Sequence, residues 1–168
     1  MTKEEYNERL KILRKLMNSG VSNPNTLLKA SFLTEKDVRI NLSHEQNILW
    51  GYKCANSVLW IVRNKEMYDR AKYCLSLVDM WLKGELRGIE EIRKLQRVAN
   101  FIHDNASKKI EIINERACLL SIGYSAYTVY GAIYSANAAF FATQAAPSAP
   151  TQREKNLTFL IESALTQI

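Results

Sequence analysis

Residues 117–152 read ACLLSIGYSAYTVYGAIYSANAAFFATQAAPSAPTQ, and no Asp, Glu, Lys or Arg interrupts them between Arg116 and Arg153. Small side chains dominate, among them Ser121, Gly123, Ser125, Ala126, Gly131, Ser135, Ala138 and Ala142. Small residues let helix backbones approach closely, so the stretch predicts the central helix of a bundle, with Ala132, Ala136 and Ala139 (i, i+4, i+7) as its close-contact row. It is long enough to span hydrocarbon, but Tyr124, Tyr127, Tyr130, Tyr134, Asn137 and Gln144 are spread along it instead of gathering in interfacial belts. A buried bundle helix is therefore expected, and no membrane insertion.

On either side of this stretch, apolar residues recur at spacings of three and four, with no sustained alternation and no Asn-Gly or Asp-Gly hairpin turn. The fold class is all-α. Thr2 with Glu5 is a capping box opening a first helix with the stripe Tyr6, Leu10, Leu13 and Met17, closed by Gly20. Asn23-Pro24 caps a short helix, and Thr34 with Asp37 starts a brief turn. Ser43 with Gln46 opens a helix running to about Arg63, and Asn64 caps the next, which Gly84 stops. A fifth runs from about Leu86 to Asn105 with Ile89, Ile92, Leu95, Ala99 and Ile102 inward. Pro147 to Pro150 breaks the chain, and Thr151 with Glu154 caps a last helix. The expectation is one helical domain over 1–168, a bundle of six to seven helices: an N-terminal extension at 1–42, a core at 43–146, a Pro-containing loop at 147–150 and a C-terminal helix at 151–168.

The chain is 168 residues long with 47% hydrophobic residues, which is enough to bury a sizeable core. Its net charge of +6 is spread by interleaved acids and bases, which argues against a nucleic-acid partner. Cys54, Cys74 and Cys118 form no C-x-x-C pair, and each lies in an apolar periodic stretch. They read as buried thiols of a reducing compartment, and the charged N-terminus lacks a secretory pattern, so a cytoplasmic location is expected.

Catalytic signatures are missing from the sequence. There is no phosphate-loop, dinucleotide or nucleophile-elbow motif, and His44 and His103 have no partner at metal-ligand spacing, so neither cofactor nor metal is expected. His103-Asp104 could act as an acid/base pair only if the fold brought a nucleophile to it. Asp79 interrupts the apolar run from Leu75 to Trp81 and is expected in a buried ion pair, and Asp69-Arg70 offers a second charged pair. Tyr127, Tyr130 and Tyr134 (i, i+3, i+7), continued by Asn137, would line one helix stripe, either as core aromatics or as a ligand wall.

Three further features go together: Trp50 followed by Cys54-Ala55 and Val58-Leu59; Asp69-Arg70 leading to Trp81-x-x-Gly84-Glu85; and Arg116-Ala117-Cys118 running through Gly131-Ala132 and Ala136 to Ala142. Over residues 50–146 this pattern resembles a bacterial and phage family of Imm-5-like immunity proteins. The resemblance implies a compact helical protein that neutralises a toxin or a rival defence component by binding it, with no catalytic residues to carry over.

A non-enzymatic binding protein with a protein target is thus the leading expectation. The alternative is a protein that sequesters a small, nucleotide-like ligand, in which Tyr127, Tyr130, Tyr134 and Asn137 act with Arg93, Arg97 and Arg116 on an anionic, aromatic molecule. A nucleic-acid binder and a helical enzyme rank below these. Small-residue helices pack within one subunit or between two, which leaves a homo-oligomer open.

Overall fold

The computed structural model describes residues 1–86 and 88–167, and all regular elements among them are helical. They run α1 Lys3–Asn18, α2 Pro24–Ala30, α3 Glu35–Asn41, α4 His44–Asn56, a 3₁₀ turn Leu59–Ile61, α5 Lys65–Leu82, α6 Ile89–Lys109, α7 Ile113–Tyr127, α8 Tyr134–Ala145 and α9 Ala149–Leu165. The expected capping boxes at Thr2/Glu5 and Ser43/Gln46 are formed, as are the Asn23 and Asn64 caps, and Thr34 with Asp37, expected to start only a brief turn, makes a third box that opens α3. Each satisfies backbone donors that a helix start leaves without partners.

Nine α-helices among the described residues exceed the expected six to seven, because the brief turn expected at Thr34 is the helix α3 and the charge-free stretch is not one central helix. It divides into α7 and α8, joined through residues 128–133. Thr128 bonds its hydroxyl back to the Tyr124 carbonyl at 3.0 Å, and Gly131, a poor helix former, follows. Folding back packs α8 on α7 more extensively than any other pair of helices. The last helix begins at Ala149 with Pro150 in its first turn, so the expected loop at 147–150 is shorter. Its Thr151/Glu154 box is replaced by a contact between the Ser148 and Thr151 hydroxyls at 2.9 Å. α4 stops at Asn56, not near Arg63, and α6 starts at Ile89. Ile89 is 67% exposed, not inward. Arg87 and Ile168, which the expected fifth and last helices include, lie outside the described residues.

α7 is the centre of the molecule. Ala117, Cys118, Leu119, Ser121, Ile122, Gly123, Ser125 and Ala126 are all buried, and α4, α5, α6 and α8 pack around it. Burying Leu119 and Ile122 completely contributes roughly 1.5–3 kcal/mol each. A Cβ added at Gly123 would lie 3.7 Å from the Ala99 carbonyl oxygen and from His103 Cβ, ordinary contact distances that still show how closely α6 passes. The tighter approach is between α4 and α8, where a Cβ at Gly51 would meet Thr128 Oγ1 at 3.3 Å, the Ser135 Cα at 3.5 Å and Ala138 Cβ at 3.7 Å. The contact row of α8 is therefore Ser135, Ala138 and Ala142, all buried. Of the expected row only Ala139 is buried: Ala132 is exposed and precedes α8, and Ala136 is only half-buried.

Polar groups inside this core are satisfied within it. The buried Glu115 carboxylate on α7 accepts from the backbone amides of Arg63 and Asn64 at 2.8 and 2.7 Å, fixing the start of α5. Asn156 on α9 donates to the Ala139 carbonyl and to Thr143 Oγ1, while its own carbonyl accepts from Trp50 Nε1 at 3.0 Å, tying α4, α8 and α9 together. Charged pairs lie further out. Asp79 pairs with Lys83 at 2.6 Å in a half-exposed position instead of a buried one, and Asp69 pairs with Lys65 rather than Arg70, whose guanidinium lies over the Phe101 ring.

This packing separates two positions that look alike in sequence. Gly51→Leu overpacks the α4–α8 contact and lowers the stability read from urea unfolding by about 1–3 kcal/mol. Ala136→Leu extends into an open groove and changes it by less than about 0.5 kcal/mol. Equal losses in the two proteins would contradict the placement of the contact row.

Candidate functional site

Two concave features use residues from the charge-free stretch. The first is a pocket of about 350 Å³ walled by Gln96 and His103 of α6, Tyr124 and Tyr127 of α7, Tyr130 of the connecting turn, and Tyr134, the first residue of α8. The three tyrosines expected on one helix stripe do meet, but from two helices and the turn between them. Tyr127 donates its hydroxyl to Asn100 Oδ1 and Tyr130 donates to the Ile92 carbonyl, both at 2.6 Å. The Tyr124, Tyr127 and Tyr134 ring centroids lie 5.7–6.0 Å apart, and the Phe141 ring stacks on Tyr124 at 5.4 Å. His103 sits edge-on to Tyr124 at 5.5 Å.

The rest of the expected ligand set does not converge here. Asn137 is half-buried on α8 and is not a wall of the pocket. Arg93 pairs with Glu90 at 2.9 Å, and Arg116 donates from Nε and Nη2 to the Ile110 carbonyl, closing the turn before α7. Arg97 is exposed on α6. Sequence reasoning missed Gln96, His103 and Tyr124. The i, i+7 spacing of Gln96 and His103, and Tyr124 three residues before Tyr127, were the available signals.

Both histidines contact neighbouring aromatic rings. His44 Nε2 lies 3.1 Å from the Val129 carbonyl, with its ring edge-on to Trp81, so it tethers α4 to the 128–133 turn. His103 Nδ1 is 3.7 Å from Asp104 Oδ1. The phenols brought beside His103 meet it ring against ring, and the Tyr127 hydroxyl is committed to Asn100.

The second feature is a groove of two lobes, about 640 and 540 Å³, which share Arg39, Trp50 and Ala136. α3, α8 and α9 form its walls, with Lys36, Arg39 and Arg153 against Glu35 and Glu154. Trp50 is 3% exposed, and the Arg39 guanidinium lies over its ring at 5.7 Å. Ile40, Ile133 and Phe140 line the groove while being 69, 75 and 57% exposed. Nothing in the sequence pattern marked these three, because exposure of an apolar residue depends on which helices cover it.

Compared with known protein families, residues 39–164 match the family described as Imm-5 like putative immunity protein. The chain belongs to that family. The match begins in α3 and ends in α9, extending the 50–146 resemblance in both directions; it includes the whole tyrosine pocket and most of the groove lining, whose Asn25, Glu35 and Lys36 lie before it. No curated protein and no solved structure matches the chain. Among the described residues, no group of His, Cys, Asp and Glu could hold a metal ion, and no helix is long and apolar enough to cross a membrane.

Burial and charge also set a pH limit. Tyr127 is pushed up to about 12 by burial and by the Asp104 carboxylate, and Tyr6 to about 12 by burial and by Asp37. Burial pushes the free Cys74 thiol up to about 12 and raises those of Cys54 and Cys118. In the unfolded chain thiols ionise near about 8.5 and phenols near about 10, whereas the folded groups hold their protons to higher pH. The stability contributed by these groups is therefore fully present below pH ~8.5 and is lost progressively as pH rises towards ~12. The urea midpoint should fall over this range, and Tyr127→Phe should make the fall shallower whatever it does to the midpoint at pH 7. A midpoint constant to pH 11 would contradict these assignments.

Proposed function

We propose that this member of the Imm-5-like family acts as a non-enzymatic immunity or counter-defence protein, neutralising a toxin or defence component by stoichiometric binding in the cytoplasm. The observation that carries the reading is the groove between α3, α8 and α9. It displays three large apolar side chains beside a buried tryptophan, with an excess of cations on its rim. Among the described residues Lys36 and Arg153 make no ion pair. Binding energy in protein interfaces concentrates in desolvated aromatic, Arg and large apolar anchors surrounded by a polar rim. The partner face that fits is apolar at its centre and acidic at its edge, which the net charge of +6 also favours by long-range attraction.

The test starts with the protein retained by the chain from its native host, followed by light scattering for one-to-one stoichiometry and by growth of cells that co-express both. Ile133→Glu with Phe140→Glu should weaken the complex on the order of a hundredfold and abolish protection without altering thermal unfolding, since both side chains are exposed. His103→Ala should protect fully. A loss of activity of about a hundredfold in folded His103→Ala with binding intact would match removal of a general acid/base and would overturn the binding mechanism. Full protection by the groove variant would remove the groove from the reading.

A further inference from the structure

The tyrosine pocket shares no lining residue with the groove and takes no part in the function proposed above. Its composition is at odds with an anionic ligand. No Lys or Arg lines it, Arg93 and Arg116 are held elsewhere, and the Asp104 carboxylate follows His103 on α6 and acts on Tyr127 by its charge. Four phenol rings from α7, the turn and α8 surround the space, with the His103 imidazole and the Gln96 amide. Aromatic faces carry negative quadrupole potential and attract cations placed within about 6 Å of the ring centroid. The Tyr124, Tyr127 and Tyr134 centroids form a triangle with sides of 5.7–6.0 Å, and the rings are inclined to one another by 25–76°, so a cation resting over the triangle is close to all three centroids and is attracted by each ring whose face it meets.

We infer that the pocket formed by Tyr124, Tyr127, Tyr130, Tyr134 and His103 is an aromatic cage for an alkylated ammonium cation. Three observations separate it from ordinary aromatic core. It is open to solvent, with Tyr130 42% exposed. Its rings are fixed in advance by the Tyr127–Asn100 and Tyr130–Ile92 hydrogen bonds and by the stacking of Phe141 on Tyr124, so a ligand need not order them. It is also lined by no Lys or Arg, and Arg39, Arg70, Lys94 and Lys109 lie over Trp50, Phe101 and Tyr73 instead of over a ring of the pocket. Alkylation of the ammonium suits the site because the methyl groups pack on the rings and do not require the hydrogen bonds that a bare ammonium loses on leaving water.

The experiment is a titration of the intact protein, followed by NMR of the His103 and tyrosine ring signals, with choline, with its neutral isostere 3,3-dimethylbutan-1-ol, and with adenosine monophosphate. Choline should give saturable shifts confined to these rings, and the neutral isostere should bind roughly tenfold or more weakly, as a cation–π contribution requires. Tyr134→Leu should lower choline affinity by about tenfold, whereas Tyr134→Phe, which keeps the ring face, should stay within about threefold of the parent. Asp104→Asn should weaken choline a few-fold, on the order expected for one screened surface charge. A short peptide carrying trimethyllysine, compared with free choline, shows by the tighter affinity which carrier supplies the cation, and binding of either supports the site. Equal binding of choline and the isostere, no saturable shift with any alkylated ammonium, or preferential binding of the nucleotide would each overturn the inference. The groove variant Ile133→Glu/Phe140→Glu should bind choline like the parent, so failure of the cage and failure of the immunity reading are distinguishable.

Discussion

The structure depends on how closely backbones approach α7. This helix has helical neighbours on several sides and carries no charge after Arg116, so it can be buried only if its partners come near and its few polar atoms are satisfied locally. Small residues meet the first condition at Gly123, Ser121 and Ala126, with Gly51 supplying the corresponding approach of α4 to α8. Short internal hydrogen bonds meet the second: Ser121 Oγ donates to the Ala138 carbonyl and Ser125 Oγ to Ile122, each at 2.7 Å. Cys118 Sγ donates to the Val58 carbonyl at 3.0 Å. Small side chains contribute little apolar area each, so stability there comes from close packing over the length of the hairpin.

The remaining polar interior is a consequence of that closeness. Where α9 crosses α4 and α8, Gln152 and Asn156 are buried, and Gln152 Nε2 donates to Ser57 Oγ and Asn156 Oδ1 at 2.8 and 2.9 Å. Among the described residues no buried side-chain nitrogen or oxygen lacks a partner. Networks of this kind fix one arrangement of helices, because a shifted register would leave amides unpaired at a cost of roughly 1–3 kcal/mol each. Glu115 extends the same logic to α5, whose start it holds through two backbone amides.

Both candidate sites lie at the edges of the α7–α8 hairpin. Turning the chain at residues 128–133 brings Tyr130 and Tyr134 against α6 on one side, while Ile133, Ala136 and Phe140 face the groove bordered by α3 and α9 on the other. The hairpin therefore supplies walls to two features of different chemistry, one aromatic and uncharged, the other apolar with a basic rim.

The helical class, the starts of α1 to α5, the burial of the three cysteines and the family were all legible before any contact was known, because capping residues, 3.6-residue periodicity and small-residue density are local properties. The sequence also held the tyrosines of the pocket, though as members of one stripe. Only the tertiary structure decided that the charge-free stretch is a hairpin, since a turn at Thr128 to Ile133 is favoured by what α8 gains from packing on α7, not by any strong local breaker. It likewise placed Ser135, Ala138 and Ala142 in the contact row, left Ala132 exposed and Ala136 half-buried while burying Ala139, and separated Arg93, Arg97 and Arg116 from the phenols. Which face of a helix is covered, and which side chains from distant segments meet, depends on contacts that no local pattern encodes.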